Sequence, residues 1–187
     1  MVRPRAQEKA EQVLAAATAL FAERGYEAVS VADVAARAGV GLSTLYLRFA
    51  GKEALGNAVL RRCKVAWAQA TLDDWPADAS PAEQFQIYWA RLHEFARTQP
   101  EEAAYAERRP VAHSIDDDTA ALVTDLHHRS TTLLRRWVGA GGLDVEVAAA
   151  LIHGTFWNVY VLPVPPRRRA ALLRQAGTAV WRALSPP

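Results

Sequence analysis

The stretch 26–49, YEAVSVADVAARAGVGLSTLYLRF, contains two short amphipathic segments separated by a glycine. Ser30 and Asp33 have the spacing of a capping box at the start of the first segment. Val31 and Val34 then begin an apolar face with helical spacing. Gly39 follows that face directly and can adopt the left-handed conformation that ends a helix. The pattern predicts a helix, a tight turn and a second helix.

The second helix of this motif is predicted to bury Leu45 and Phe49 and to leave its opposite face exposed. The positions expected on the exposed face are Leu42, Ser43, Thr44, Tyr46, Leu47 and Arg48. A short exposed helix that is rich in hydroxyl groups and ends in an arginine fits a major groove flanked by phosphates. We interpret the motif as a DNA-binding helix-turn-helix.

The motif resembles that of the TetR family of bacterial transcriptional regulators, and the resemblance extends to both sides. LFAERGY at 20–26 matches the family's end of the first helix, and KEAL at 52–55 matches its start of the fourth. Together the match covers roughly the first third of the chain. It implies an all-α fold, with an N-terminal three-helix domain at 1–51 that contains the helix-turn-helix. A helical ligand-binding and dimerisation domain is expected at 52–187.

The resemblance also implies which residues contact DNA. The side chains at the family's phosphate-contacting positions are Thr44, Tyr46, Arg48 and Lys52, and their hydroxyl groups and positive charges suit phosphate oxygens. We add Ser30, at the start of the first motif helix, to the predicted DNA-binding residues. Lys52 and the amides around Gly51 also lie at a helix start, where an anion is favoured.

Base contacts would fall to Leu42, Ser43 and Leu47, with Tyr46 as a further candidate. Many family members have a serine where Gly41 stands and a basic residue where Leu42 stands. Leucine cannot form hydrogen bonds with base edges, but it can pack on thymine methyl groups. Specificity is therefore expected to depend on apolar contact and on DNA shape.

Two arginines precede the first helix, at Arg3 and Arg5. They could contact the minor groove or the phosphate backbone, or they could be solvated charge on a flexible arm. The charge distribution agrees with a DNA-binding N-terminal part. Residues 1–64 hold 10 Lys or Arg and 6 Asp or Glu, whereas the whole chain has a net charge of only +2.

The composition indicates a globular chain in a reducing compartment. Its 187 residues are 51% hydrophobic, which is enough to bury a sizeable core. The single cysteine, Cys63, lies at helical spacing from apolar residues and is predicted to be a buried thiol. The polar N-terminus lacks the apolar segment of a signal peptide, so we expect a cytoplasmic protein. The stretch 147–164 has no charged side chain, and we interpret it as a buried helix rather than a membrane span.

Helical periodicity continues along the rest of the chain, and proline or capping residues mark the breaks. The helices are predicted at about 7–24, 52–73, 81–98, 100–108, 118–138, 145–162 and 167–184, besides the two of the motif. The last two have broad apolar faces. Each can cover the domain interior with one face and meet a second copy of the chain with the other.

Aromatic side chains are frequent in the C-terminal part, and histidines lie on the same helical faces. Ligand sites combine apolar walls with a few polar groups, and in the TetR family this domain holds a small effector. The predicted ligand-binding residues are Trp67, Tyr88, Trp89, His93, Tyr105, His127, Phe156 and Trp157. For each of them, an ordinary place in the core is the alternative.

The sequence contains no zinc-binding histidine motif, phosphate-binding glycine loop or nucleophile elbow, so no metal, cofactor or catalytic residue is predicted. We therefore expect a regulator, in the form of a ligand-responsive repressor that binds operator DNA as a homodimer and is released by a small, largely apolar or aromatic effector. Two alternatives stay open. One is an intracellular small-molecule binding protein with a degenerate DNA-binding motif, and the other is an enzyme that acts on the same ligand.

Overall fold

A computed structural model describes residues 4–107, 114–138 and 142–185 of the chain. In these ranges the chain is all-α, as predicted, and no strand occurs. The helices are α1 (Pro4–Arg24), α2 (Val31–Ala38), α3 (Leu42–Tyr46), α4 (Lys52–Thr71), α5 (Pro81–Thr98), α6 (Pro100–Glu107), α7 (Asp117–Trp137), α8 (Val145–Tyr160) and α9 (Pro166–Leu184).

Proline marks the start of several helices because its fixed φ suits the first turn and its missing N–H is not needed there. Within the described ranges α1, α5, α6 and α9 begin at Pro4, Pro81, Pro100 and Pro166. The start of α1 corrects one expectation. Arg5 lies in the first turn of this helix and not on an arm before it, whereas Arg3 lies outside the described residues.

Side-chain caps fix the other helix starts. Ser80 and Glu83 form the same reciprocal bonds as a capping box, with the Ser80 N–H donating to Glu83 Oε2 over 2.9 Å. Asp116 Oδ1 accepts the Thr119 N–H over 2.8 Å at the start of α7. Asp144 Oδ1 accepts the N–H of the second residue of α8 over 2.9 Å. The predicted breaks between helices are confirmed at these positions.

The chain divides into two compact units. The first contains Met1–Asp73 and His93–Leu126, and the second contains Asp74–Leu92 and His127–Pro187. Helices α5 and α7 each contribute residues to both units. The units reflect which residues pack together, and they do not test where the chain divides into domains. The division into domains at 1–51 and 52–187 therefore stays a prediction.

The core of the first unit lies among α1, α2, α3, α4 and α6. It contains fully buried residues from each motif helix, including Val34 and Leu45. Cys63 of α4 is buried in the same cluster, as predicted. Burial raises the pKa of the Cys63 thiol to about 12, so the group stays protonated.

The core of the second unit is aromatic. Phe85 of α5 lies between the rings of Trp137 and Trp181, with ring centroids 5.7 and 5.4 Å away. Trp89 meets Phe156 of α8 edge to face at 5.4 Å. The apolar side of α5 is buried along its length, at Phe85, Tyr88, Trp89, Leu92 and Phe95.

Candidate DNA-binding interface

The start of α2 is fixed by reciprocal hydrogen bonds between Ser30 and Asp33. The Asp33 N–H donates to Ser30 Oγ over 3.1 Å, and the Ser30 N–H donates to Asp33 Oδ2 over 2.8 Å. The Ser30 hydroxyl also donates to Asp33 Oδ2 over 2.6 Å. These bonds hold the pKa of the Asp33 carboxyl below its ordinary value. The predicted capping box is confirmed, and Ser30 itself is exposed.

The turn between α2 and α3 depends on Gly39, whose φ is +64°. The Gly39 N–H donates to the Ala36 carbonyl over 3.2 Å, and the Val40 N–H donates to the Ala35 carbonyl over 3.1 Å. A residue with a Cβ atom would be strained in this conformation. The glycine therefore ends α2 and turns the chain into α3, as the sequence predicts.

The second motif helix ends at Tyr46, earlier than predicted, and Leu47, Arg48 and Phe49 follow it directly. Helix α3 together with these three residues has a buried side and an exposed side, and the latter is called the exposed side of α3 below. Leu45 is fully buried in the core, and Phe49 packs against that core as a partly buried side chain. On the other side Leu47 is 87% exposed, Tyr46 52% and Leu42 44%. Ser43 and Arg48 are exposed as predicted, whereas Thr44 is half-buried. The surface that α3 offers is thus largely apolar, with one aromatic ring and one guanidinium group.

The two predicted cationic contacts differ in their surroundings. Arg48 is exposed and forms no salt bridge with any residue that the structure describes. Lys52, the first residue of α4, donates from Nζ to the Glu27 carbonyl over 3.1 Å. Its Nζ also lies 4.4 Å from the centre of the Tyr26 ring, a cation–π contact. Lys52 therefore ties the start of α4 to the chain just before α2, which the sequence pattern did not reveal.

An open depression of about 430 Å³ lies beside the exposed side of α3. Its lining combines the first turn of α2 with α3 and the start of α4. The lining residues are Glu27, Ala28, Val29, Ser30, Val31, Ala32, Leu42, Tyr46 and Lys52. Four of the residues predicted to contact DNA thus border one concave surface.

An ion pair and ring contacts hold the motif to α1 and α6. Arg37 of α2 donates to both carboxylate oxygens of Glu23 in α1, over 3.1 and 2.9 Å. The Phe21 ring lies 5.2 Å from the Tyr26 ring and 5.8 Å from the Tyr105 ring. Tyr105 comes from α6, so the support of the motif includes a helix far along the chain.

The predicted ligand-binding residues fall in both units. Trp67 and Tyr105 pack in or against the core of the first unit, and the Tyr105 hydroxyl has no hydrogen-bond partner among the described residues. Burial raises the pKa of this hydroxyl. His93 is half-buried on α5, and His127 of α7 is exposed beside His128.

The other four predicted ligand-binding residues lie in the second unit and are Tyr88, Trp89, Phe156 and Trp157. The Tyr88 hydroxyl shares a hydrogen bond of 3.1 Å with His153 Nε2, and its ring lies 5.4 Å from that of Trp137. Trp89 Nε1 donates to the Leu173 carbonyl of α9 over 2.9 Å. His153 and Trp137 lie outside the set of eight predicted ligand-binding residues, and both contact Tyr88, a member of that set.

Residues 13–59 match the family model of bacterial regulatory proteins of the TetR family. A search of curated proteins finds no significant match. The chain carries the TetR-type N-terminal domain on a TetR-like fold, and the predicted resemblance to this family is confirmed.

Solved structures support the same fold. A TetR-family transcriptional regulator from Haemophilus influenzae has a TM-score of 0.69 and 21% identity, with 97% of this chain and 99% of that one covered. A TetR-family regulator from Marinobacter aquaeolei gives 0.72 and 20%, with 95% and 98% covered. FadR from Bacillus subtilis, solved in complex with stearoyl-CoA, gives 0.67 and 19%, with 94% and 97% covered.

Metal sites and membrane spans can be assessed for the described residues. Among them, no group of histidine, cysteine and acidic side chains is placed to hold a metal ion. No described helix combines the length and the hydropathy needed to cross a membrane.

Proposed function

We propose that the protein is a cytoplasmic transcriptional repressor that binds operator DNA as a homodimer and responds to a small effector. The observation that carries this proposal is the exposed side of α3, which presents Leu42, Tyr46 and Leu47 on a supported helix-turn-helix. Large apolar and aromatic side chains that are exposed together on a short, well-anchored helix form a patch suited to a binding partner, and the partner that we propose is a DNA groove.

Phosphate contacts are assigned to Thr44, Tyr46, Arg48 and Lys52, with Ser30 at the start of α2. The depression beside α3 brings the side chains of Ser30, Tyr46 and Lys52 to one surface. Hydroxyl and ammonium groups there would hold the sugar–phosphate backbone and set the position of α3 in the groove. Arg48 is exposed and would supply a separate phosphate contact.

Base recognition is assigned to Leu42, Ser43 and Leu47, with Tyr46 as a further candidate. The high exposure of Leu47, 87%, leaves its side chain open to contact a thymine methyl group. Only Ser43 could exchange hydrogen bonds with a base edge at these three positions. The proposed operator half-site is therefore rich in thymine at the contacted positions.

Dimerisation is assigned to α8 and α9. One side of α8 is exposed in the single chain and carries almost no polar groups. It includes Val147, which is 51% exposed, and continues to Val161 just after the helix, which is 70% exposed. The other exposed positions on this side are Ala150, Gly154 and Asn158. A two-fold partner would bury this side and place two copies of α3 about 34–36 Å apart, one helical turn of DNA.

Effector binding is assigned to the aromatic helices, with the eight predicted residues as candidates. In the second unit, Trp137 Nε1, Trp157 Nε1 and Gln84 Oε1 are buried without a hydrogen-bond partner among the described residues. Buried polar atoms without partners are uncommon, and a ligand with polar groups would satisfy them. The FadR neighbour was solved in complex with stearoyl-CoA, a molecule with a long apolar chain. We propose a small, largely apolar or aromatic effector for this chain.

The proposed mechanism is a change in the position of α4, which begins at Lys52 and continues to Thr71. An effector that prefers the DNA-incompetent position by about 100-fold supplies roughly 2.7 kcal/mol, enough to release the operator. By reciprocity, operator DNA must weaken effector binding by the same factor. Tryptophan fluorescence titrations of an identified effector with and without operator test this, and equal affinities would contradict it.

The experiment for the proposed function is gel retardation with the DNA upstream of the gene. A repressor forms a discrete complex with this DNA that survives an excess of shuffled competitor. A carrier with a degenerate motif shows no retardation, and an enzyme alters the ligand in a turnover assay. Absence of any preferred DNA fragment would overturn the proposal.

A further inference from the structure

Asn57 of α4 connects its own helix to the start of α7. Its side chain is buried to 3% exposure. Nδ2 donates to the Ser114 carbonyl over 2.9 Å, and Oδ1 accepts the Asp116 N–H over 3.3 Å. A second Nδ2 bond, of 3.1 Å, goes to the Glu53 carbonyl in α4 itself. The amide thus matches a backbone acceptor and a backbone donor on a segment more than fifty residues away in sequence.

Arg61, one helical turn after Asn57, reinforces this connection. Its Nη1 donates to both oxygens of the Asp116 carboxylate, over 2.8 and 2.9 Å, and contacts Thr119 Oγ1 at 2.5 Å. The same carboxylate accepts the Thr119 N–H and caps α7. Asp116 therefore belongs at once to the cap of α7 and to the contact with α4.

Lys64 extends the contact to α6. Its Nζ donates to the Ala106 carbonyl in the last turn of that helix over 2.9 Å. Asn57, Arg61 and Lys64 follow each other at intervals of four and three residues, which places them along one side of α4. This side of α4 holds the end of α6 and the start of α7 together.

Asn57 lies near the end of α4 that is proposed to face DNA. Asn57 lies five residues after Lys52, so about 7.5 Å along the helix axis separates the two. Helix α7 runs without a break from Asp117 to Trp137, and its later residues belong to the second unit. The segment that Asn57 holds is therefore the first turn of a helix that also forms the aromatic core.

We propose that Asn57 is a positioning residue that fixes the start of α7 to the DNA-facing half of α4, so that the states of α7 and of the DNA-binding helices are coupled through this amide. The inference rests on the proposed function and specifies its regulation. A leucine has nearly the shape of asparagine but offers neither the donor nor the acceptor. The Asn57→Leu variant therefore removes the bonds of this amide while keeping the core filled. It leaves the bonds of Arg61 to Asp116 in place, so the variant tests the amide alone.

The test is hydrogen exchange measured by mass spectrometry on the full chain, alone and saturated with the DNA fragment found by gel retardation. In the wild type, DNA should slow amide exchange at 42–58 and also at 114–120. In Asn57→Leu the slowing at 42–58 should remain, whereas exchange at 114–120 should return to the rate of the DNA-free protein. Gln69→Leu, an exposed change on the same helix, is the matched control and should behave as the wild type.

Three outcomes are distinguishable. Slowing at 114–120 that persists in Asn57→Leu would show a merely structural asparagine and overturn the inference. If DNA slows amide exchange of the wild type at 42–58 but not at 114–120, the inference is overturned as well. This result does not depend on whether the variant folds. No slowing at 42–58 would mean that the proposed DNA-binding function itself fails.

Discussion

Gly177 of α9 lies directly against the indole ring of Trp89, and an alanine at this position tests the packing of the second unit. A Cβ atom on residue 177 would lie 2.8 Å from Trp89 Nε1 and 3.0 Å from Cδ1 and Cε2. The indole is held in place because Nε1 donates to the Leu173 carbonyl over 2.9 Å. The added methyl group must therefore displace a ring that is itself hydrogen-bonded.

The expected cost follows from three contributions. Forcing a methyl group into a packed core costs about 1–3 kcal/mol, and a weakened indole hydrogen bond adds up to about 1 kcal/mol. Replacing glycine by alanine within a helix returns about 0.5–1 kcal/mol. These contributions sum to about 0–3.5 kcal/mol, and because the hydrogen-bonded indole resists displacement, we expect Gly177→Ala to lower the free energy of unfolding by about 1–2 kcal/mol. Each kcal/mol lowers the melting temperature by about 2–4 °C. Urea denaturation at one fixed protein concentration measures the effect.

Two variants isolate the contact with Trp89. Ala179→Gly, at an exposed position of α9, measures the helix-propensity contribution alone. Trp89→Leu makes room for the methyl group, so Gly177→Ala should cost nothing further in that background. A Gly177→Ala protein as stable as the wild type, or more stable, would refute the packing described for α5 and α9.

Three further predictions concern DNA binding and pH. Arg48→Ala should lower the slope of log affinity against log salt concentration by about one, with little change in base preference. The control Arg135→Ala, at an exposed position of α7, should leave this slope unchanged. A changed preference at one base pair in Arg48→Ala would contradict the phosphate assignment. Uracil in place of thymine in the half-sites should weaken binding by on the order of 1 kcal/mol per contact with Leu42 or Leu47, and equal affinity would show that these leucines contact no methyl group. Bonds from Thr119 and Arg61 hold the pKa of Asp116 at about 2, below the ordinary 3.8, so its stabilising contribution is present above the ordinary value and is lost as pH falls toward about 2. Urea midpoints of Asp116→Asn should therefore fall less than those of the wild type over this pH range, and parallel curves would contradict the assignment.

Local chemistry made the helix boundaries predictable. Ser30 and Asp33 form their bonds within four residues of chain, and Gly39 adopts a conformation that its own lack of a Cβ atom permits. The same holds for the start of α5 at Ser80 and Glu83. These signals do not depend on the rest of the fold, so the sequence contains them in full.

Contacts between distant helices were not predictable in the same way. Periodicity shows that Tyr105 faces inward, but not that it joins the core around Phe21 rather than an effector site. The contact of Lys52 with the Glu27 carbonyl was not predictable either, because a backbone acceptor leaves no pattern in the sequence. The hydrogen-bond partners of Asn57 on the segment before α7 were not predictable for the same reason.

The most direct test of the account is the DNA affinity of Leu47→Glu, measured by fluorescence anisotropy on the upstream fragment. Leu47 is 87% exposed, so the change should leave the melting temperature and the helix content as they are. A carboxylate facing the groove should lower specific affinity by at least about tenfold, or ~1.4 kcal/mol, and abolish the preference over shuffled DNA. Unchanged affinity and preference in a folded Leu47→Glu protein would contradict the claim that the exposed side of α3 contacts DNA.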